Sequence, residues 1–368
     1  MKFFLFLAFV LLLFGVLIWN AGRQAFLTVR AFFPGCKATS FAIVYSATVS
    51  ALLLLFFLSH SVLPRPLVTV TWYAMGFFVY FLMIFNLLAV VSIAERLLPR
   101  LTHLRSVAGS VAFLLLITVF LYGSIHAGKV KLKNYSVSLG KDAPSMKAVL
   151  ISDLHLGSTL GEKRLTKIRD TVLREKPDVL LIAGDIFDGD FDAVQNPERL
   201  KEIFREMEPP MGTFACLGNH DAGSSLPQML SFLKEANVTL LNDEAVTLEN
   251  QVVIAGRRDS SPIGATNEKR KPLTLPEGDG PVILLDHQPG NLAEYGSEID
   301  LVLCGHTHKG QMFPFGFITD ALFEVDYGYY QRSPDSPQVI VSSGVGFWGP
   351  PLRVASDCEI VSIEINPQ

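Results

Sequence analysis

Val149-Leu150-Ile151-Ser152-Asp153-Leu154-His155 and Leu180-Leu181-Ile182-Ala183-Gly184-Asp185 share one design. Each is a short apolar run that stops at a carboxylate or an imidazole. Runs of this length read as buried strands, and open sheets place their sites at strand ends. The design recurs in Leu217-Gly218-Asn219-His220-Asp221, Leu284-Leu285-Asp286-His287 and Leu303-Cys304-Gly305-His306-Thr307-His308. Together these segments gather carboxylate, imidazole and amide oxygen, a ligand set that divalent cations accept. Of the 8 histidines, the remaining three are His60, His103 and His126, in or near apolar segments. Any one motif alone is weak. Five at strand ends point to two-metal phosphoester chemistry.

Around these runs the texture from Lys147 to Gln368 is α/β. Strands are expected at Ala148–Asp153, Val179–Ala183, Thr213–Leu217, Val252–Ala255, Val282–Asp286, Leu301–Cys304, Val339–Ser342 and Ile360–Ile365. Glu162–Arg174 reads as a helix with Leu165, Ile168, Val172 and Leu173 on one face, and Leu200–Met207 and Leu226–Glu235 read as helices too. This alternation predicts a two-sheet β-sandwich flanked by helices over 147–368. Asp259–Gly280, polar and rich in Pro, Gly and Lys, is expected to be a surface loop beside a substrate cleft.

Residues 1–128 differ in kind. The 368-residue chain is 49% hydrophobic and 18% charged, with mean hydropathy +0.36, and the apolar excess sits before Ala127. Four transmembrane helices are expected at about 3–19, 41–63, 67–94 and 107–125. The first follows Lys2 as a signal peptide does, but three further spans come after it, so it reads as retained. Pro64-Arg65-Pro66 marks a tight turn. The loops after spans one and three carry Arg23, Arg30, Lys37, Arg96, Arg100 and Arg105, against Lys2, Arg65, Lys129, Lys131 and Lys133 on the other side. That balance leans toward an extracytoplasmic soluble domain of a multi-pass protein of the cell (inner) membrane. The span interiors carry almost no charge, which argues against a channel or transporter. Net charge is −4, without a basic stripe, so no nucleic-acid partner is expected. Cys36, Cys216, Cys304 and Cys358 form no CxxC pair.

Spacing within the motifs suggests roles. Asp153 and His155, one residue apart, point the same way in an extended chain and chelate one ion together. Asp185 is the natural bridge between two cations, with Asp188 close behind it. Asn219 offers an amide oxygen. His220 is a ligand or a proton donor, and His306 and His308 share a face.

The ordered blocks DxH, GDxxD, GNHD, H and GHTH resemble the calcineurin-like metallophosphoesterase superfamily over residues 147–368. Gly305–Gln311 and the tail Ser343–Arg353 look like its bacterial membrane-associated branch with N-terminal transmembrane helices, apart from Lys309, which adds a positive charge there. The resemblance implies that Asp153, His155, Asp185 and His308 hold one metal, and that Asp185, Asn219, His287 and His306 hold the other. It implies that His220 contacts phosphate and protonates the leaving oxygen, with Asp188 orienting it. Two divalent cations are then expected, Mn²⁺ first, with Fe or Zn²⁺ as alternatives, and a metal-activated water attacking phosphorus in line. The expected partners are the bilayer and a phosphorylated, lipid-linked substrate. Some relatives hydrolyse the pyrophosphate of UDP-2,3-diacylglucosamine. A membrane sensor that binds metal and phosphate without catalysis is the competing reading. Phe347-Trp348-Gly349-Pro350-Pro351 offers apolar surface to lipid or to packing.

Overall fold

The computed structural model describes residues 2–59, 63–97, 103–140, 143–264, 269–278 and 280–367. His60 and the end of the second expected span, Arg100, part of the expected 259–280 loop (265–268 and 279) and Gln368 lie outside the described residues. The chain forms two compact units, Met1–Ser124 and Ile125–Gln368.

The N-terminal helices are α1 (Lys2–Phe32), α2 (Ala38–Leu58), α3 (Arg65–Leu97) and α4 (Leu104–Ala127). All four are long and apolar enough to cross a bilayer. Gly22 faces the Tyr45 ring and Gly109 faces Thr28 with no room for a Cβ, so these small residues let the helices approach closely.

Three of the four helices outrun the expected spans for a common reason. Polar residues beyond Trp19 find partners inside the unit. Asn20 Nδ2 donates to Asn86 Oδ1 (2.8 Å). Arg105, buried, donates to Gln24 Oε1 (2.8 Å), Ser92 Oγ (2.7 Å) and Glu95 Oε2 (2.6 Å). Arg23 and Arg30 therefore ride on α1, and Arg105 is a clamp across α1, α3 and α4 instead of a loop charge.

The second unit holds β1 (Val130–Ser138), β2 (Met146–Ile151), α5 (Glu162–Glu175), β3 (Val179–Ala183), α6 (Pro197–Glu206), β4 (Thr213–Cys216), α7 (Leu226–Glu235), β5 (Val238–Leu240), β6 (Glu244–Thr247), β7 (Val253–Gly256), β8 (Val282–Leu285), β9 (Leu301–Cys304), α8 (Gly316–Leu322), β10 (Gly328–Gln331), β11 (Gln338–Val341) and β12 (Cys358–Asn366). Two sheets result, ordered β1-β12-β2-β3-β4-β5 and β10-β11-β9-β8-β7-β6. In the first, β2 through β5 run parallel, and in the second β7, β8, β9 and β11 do.

Alternation along β2 explains the layering. Ala148 and Leu150 enter a core shared with Ile283, Leu303 and Ile340 of the second sheet. Val149 and Ile151 point the other way, into a core with Leu165, Ile168, Phe204 and Phe232 of α5, α6 and α7. Burial on both faces is why these strands read as unbroken apolar runs.

The expected two-sheet sandwich is present. Strands β1, β5, β6 and β10 and helix α8 carry too few buried residues to have been predicted. β1 (VKLKNYSVS) is largely exposed and Lys-bearing, the character of an edge strand. Leu173 does not share the buried face of α5. Leu165, Ile168 and Val172 follow the helical repeat, whereas Leu173 turns a further ~100° away and is 47% exposed.

The Arg105 clamp yields a prediction. Glu95→Ala leaves a buried guanidinium short of its carboxylate and lowers the stability of the full-length protein in detergent by about 2–3 kcal/mol. The double change Glu95→Leu, Arg105→Met regains most of that loss. Thermal denaturation of both variants measures it.

Candidate metal centre

The motif residues sit just past the C-terminal ends of β2, β3, β4, β8 and β9, where the two sheets meet one cleft. The backbone there is not extended. Asp153 (φ 54), His155 (φ 49), Asp185 (φ 50), His306 (φ 73) and His308 (φ 50) all lie in the left-handed region. Non-glycine residues rarely adopt it, and such strain concentrates at functional sites. Asp153 and His155 therefore converge through two left-handed turns, not through strand alternation. His306 and His308 do not share a face. His308 joins Asp153 and His155, while His306 joins Asp185 and His287.

In the first cluster, His308 Nε2 lies 3.4 Å from Asp153 Oδ1 and 3.2 Å from His155 Nε2. In the second, His287 Nε2 lies 3.1 Å from Asp185 Oδ2, and His306 Nδ1 lies 2.9 Å from Asn219 Oδ1. Asp185 stands between the clusters, its Oδ2 3.7 Å from His155 Nε2 and its Oδ1 accepting the His220 N–H (2.9 Å).

The His287 side chain tests whether these residues suit a cation. Its Nδ1 donates to the Ala183 carbonyl (2.8 Å), which fixes the tautomer. Nε2 of the neutral ring then carries a lone pair aimed at a carboxylate oxygen. It is buried and makes no hydrogen bond. Two facing acceptors need a cation or a proton between them. Burial opposes an imidazolium there, but Asp185 and Asp153 raise His287 well above its ordinary value. Burial alone would raise Asp185 too, yet His287 and His155 hold its carboxyl well below the usual range. Burial first, and then the neighbouring His287, push His306 down to about 4, so its ring is neutral near pH 7. The donor set fits divalent cations of borderline hardness.

Close packing shapes the same loops. A Cβ on Gly184 would stand 2.7 Å from His287 Nδ1, and this residue also needs φ +75. A Cβ on Gly218 would collide with Asp185 Oδ1.

Three motif residues face elsewhere or serve differently from their spacing. Asp286 is buried away from the cleft, bound by Arg270 Nη2 (2.7 Å), Asn291 and Tyr295, because it alternates with His287 after β8. Asp188 Oδ1 is nearer His155 Nδ1 (3.3 Å) than His220 Nδ1 (4.0 Å). Lys309 lies over the Tyr327 ring (4.2 Å) and borders a neighbouring cavity with Phe313 and Phe317.

Two supporting residues were not given roles by the motif pattern. Asp221 accepts from Phe187 N (2.7 Å), Gly218 N (2.9 Å) and Ile186 N (3.0 Å), tying the GNHD loop to the GD loop. Burial and the Asp185 charge push its carboxyl up to about 7 despite those donors. Arg353, fully buried, donates to His308 O (3.1 Å) and Gly346 O (2.6 Å), with Nη2 3.1 Å from His308 Nδ1. A guanidinium only donates, so this contact leaves the proton of neutral His308 on Nε2. Ligation through that nitrogen requires the ring to turn or Arg353 to give up that one contact. Their contacts cross chain separations that no local pattern encodes.

The cleft has a volume of about 460 Å³. Besides His155, Asp185, Asn219, His220, His306 and His308 it is lined by Ile263, Phe315, Ile318 and Trp348. Ile263 belongs to the loop expected to border a cleft, and its N–H donates to Asn219 O (2.8 Å). Of the 347–351 segment, one aromatic is packed and one is exposed. Phe347 packs on Ala127 and Cys358, while Trp348 is 55% exposed at the cleft.

Asp221→Ala strands three backbone N–H groups and costs about 3 kcal/mol of stability. Because those groups position Asp185 and Asn219, Mn²⁺ affinity falls with it. Denaturant melts and calorimetric Mn²⁺ titration read the two effects.

Residues 146–310 match the calcineurin-like phosphoesterase family. The chain is 35% identical over 252 residues to an uncharacterized metallophosphoesterase of Aquifex aeolicus, covering 67% of this chain and 95% of that one. It is 28% identical to a transmembrane protein with metallophosphoesterase domain of Danio rerio over 99% of this chain and 89% of that one. It is 26% identical to the UDP-2,3-diacylglucosamine pyrophosphatase LpxG of Chlamydia trachomatis, over 55% of this chain and 78% of that one. Four membrane-length helices and a relative named as a transmembrane protein make this a membrane-associated chain. With four motif blocks lining one cleft and His287 buried beside Asp185, the chain belongs to the calcineurin-like metallophosphoesterase family, the phosphoester hydrolases.

Proposed function

We propose that this protein hydrolyses a phosphodiester, pyrophosphate or phosphomonoester bond of a phosphorylated, lipid-linked substrate at a membrane. The observation that carries the reading is one cleft in which His155, Asp185, His306 and His308, members of clusters able to hold metal ions, stand beside an apolar lining of Ile263, Phe315, Ile318 and Trp348. A phosphate with an apolar substituent suits both parts.

In this reading Asp153, His155, Asp185 and His308 hold one cation, and Asp185, Asn219, His287 and His306 the other. The chemistry supplied by two divalent cations held there would be offset of phosphoryl charge and acidification of a water. The chain's own residues do the rest. The His220 N–H holds Asp185 in its bridging pose. The His220 ring, which lines the cleft, donates a proton to the leaving oxygen. The protonated ring is lost as pH rises, and because burial lowers its pKa that loss, and with it the fall in rate, sets in at lower pH than for an ordinary imidazole. Asp188 steadies both His155 and His220 from one carboxylate. Mn²⁺ is the preferred candidate, with Fe or Zn²⁺ compatible.

A more specific reading, hydrolysis of the UDP-2,3-diacylglucosamine pyrophosphate bond, is favoured by the likeness to the Chlamydia enzyme named for it. With Arg105 taken up by the clamp, the two sides carry equal numbers of positive residues, and a catalytic unit outside the cytoplasm, at the inner membrane, is the placement put to test. A reporter fused after Gln368 should then be active on the extracytoplasmic face. Cytoplasmic activity alone would reverse that assignment.

The decisive assay uses purified full-length protein with Mn²⁺. Chelation and Asp185→Ala should each abolish hydrolysis, with Mn²⁺ restoring the chelated protein only. His220→Asn should lower kcat by about 10²–10⁴ for esters with alkyl leaving groups. It should cost far less for bis-p-nitrophenyl phosphate, whose leaving group needs no proton, and it should remove the fall in rate at high pH. Metal binding without turnover on any ester would instead identify a sensor.

A further inference from the structure

Helix α8 is built inside out for a water-facing helix. An exposed helix normally turns its apolar residues to the core. None of the residues of α8 is buried, and Phe317 (70%), Ile318 (54%) and Leu322 (72%) are exposed, as is Phe313 just before it (50%). Its polar side is the one anchored. Thr319 Oγ1 donates to Asp326 Oδ2 (2.6 Å), and Thr307 Oγ1 donates to the Asp326 carbonyl (2.6 Å). Gly310, at the end of the His306–His308 loop, packs against the Gly316 backbone with no room for a Cβ. The helix is thus fixed to the metal-ligand loop while its large apolar side chains face outward.

These residues are concentrated at one place. Among the described residues of the unit beyond helix α4, the strongly exposed Phe, Ile and Trp side chains fall at Phe313–Leu322, Ile263 and Trp348. Phe315, Ile318, Ile263 and Trp348 line the cleft, so the outward patch continues its apolar lining. Contiguous apolar surface of this kind marks an interaction site. The same chain carries four helices long and apolar enough to cross a bilayer, so a bilayer is the apolar partner at hand. Phe, Leu and Ile beside a Trp at a rim are the residues that enter the boundary between headgroups and acyl chains.

We infer that the Phe313–Leu322 segment seats in the bilayer interface and brings the mouth of the metal cleft onto the lipid surface. The inference deepens the lipid-linked reading and rests on it for its purpose, while the contact itself is measured without substrate. An amphiphile would then slide its headgroup to the metals while its chains stay in apolar surroundings.

The test uses full-length protein in lipid nanodiscs, with Cys36→Ser so that the remaining native cysteines are buried. Single changes Phe317→Cys, Leu322→Cys and Glu249→Cys carry an environment-sensitive fluorophore. Lipids bearing a doxyl quencher near the headgroup should reduce emission at 317 and 322 by about twofold or more, consistent with shallow insertion. Position 249 should be unaffected. Emission at 317 and 322 matching 249 overturns the inference. So does a blue shift without lipid quenching, which would mean a protein partner or a second copy. As a second readout, Phe317→Ser with Leu322→Ser should raise KM for vesicle-borne amphiphile about tenfold. It should leave bis-p-nitrophenyl phosphate hydrolysis unchanged. Equal loss on both substrates would show a structural role and overturn it. Failure of the hydrolase reading is seen separately, as Asp185→Ala leaving turnover intact.

Discussion

A buried carboxylate that must stay ionised organises the catalytic unit. Asp185 is almost fully enclosed, and burial alone would neutralise it. Imidazoles from three other strand ends, His155, His220 and His287, reverse that balance. The backbone of the GNHD loop adds an N–H to one oxygen. Each of these groups is held in turn: His287 by the Ala183 carbonyl, and the GNHD loop by Asp221. Removing water from a charged site is costly unless every neighbour is fixed. The left-handed turn at Asp185 and the tight glycines Gly184 and Gly218 are part of that fixation.

The two-sheet sandwich makes such fixation possible. Parallel strands from both sheets end at one cleft, and their buried cores on either face leave the strand ends little freedom. Ligand loops therefore issue from rigid supports, a condition for holding several donors at one point. The membrane unit uses a related device for a different end. Arg105 gathers Gln24, Ser92 and Glu95 and so pins three helices with one guanidinium. In an apolar surrounding a polar group without partners is expensive, so the clamp also fixes which helix faces meet.

The sequence made the architecture legible where burial was complete. The runs ending at Asp153, Asp185, Asn219 and His306 read as strands because both of their faces are covered. Edge elements escaped notice. β1 and α8 follow no burial pattern, since one lies at a sheet edge and the other turns its apolar side outward. Leu173 is apolar and adjoins the helical repeat of α5, which makes it read as buried, yet it turns off that face and is exposed.

The sequence alone thus determined the strand-end motifs, the order of the blocks and the apolar helices, because each is written in contiguous residues with a local period. Tertiary structure decided the rest. It split His306 from His308, turned Asp286 away from His287, and moved Lys309 off the cleft. It brought in Asp221 and Arg353, and set an apolar wall beside the clustered His and Asp side chains. Side-chain direction at a strand end depends on backbone turns and on partners distant in the chain, and neither leaves a periodic trace in the residues themselves.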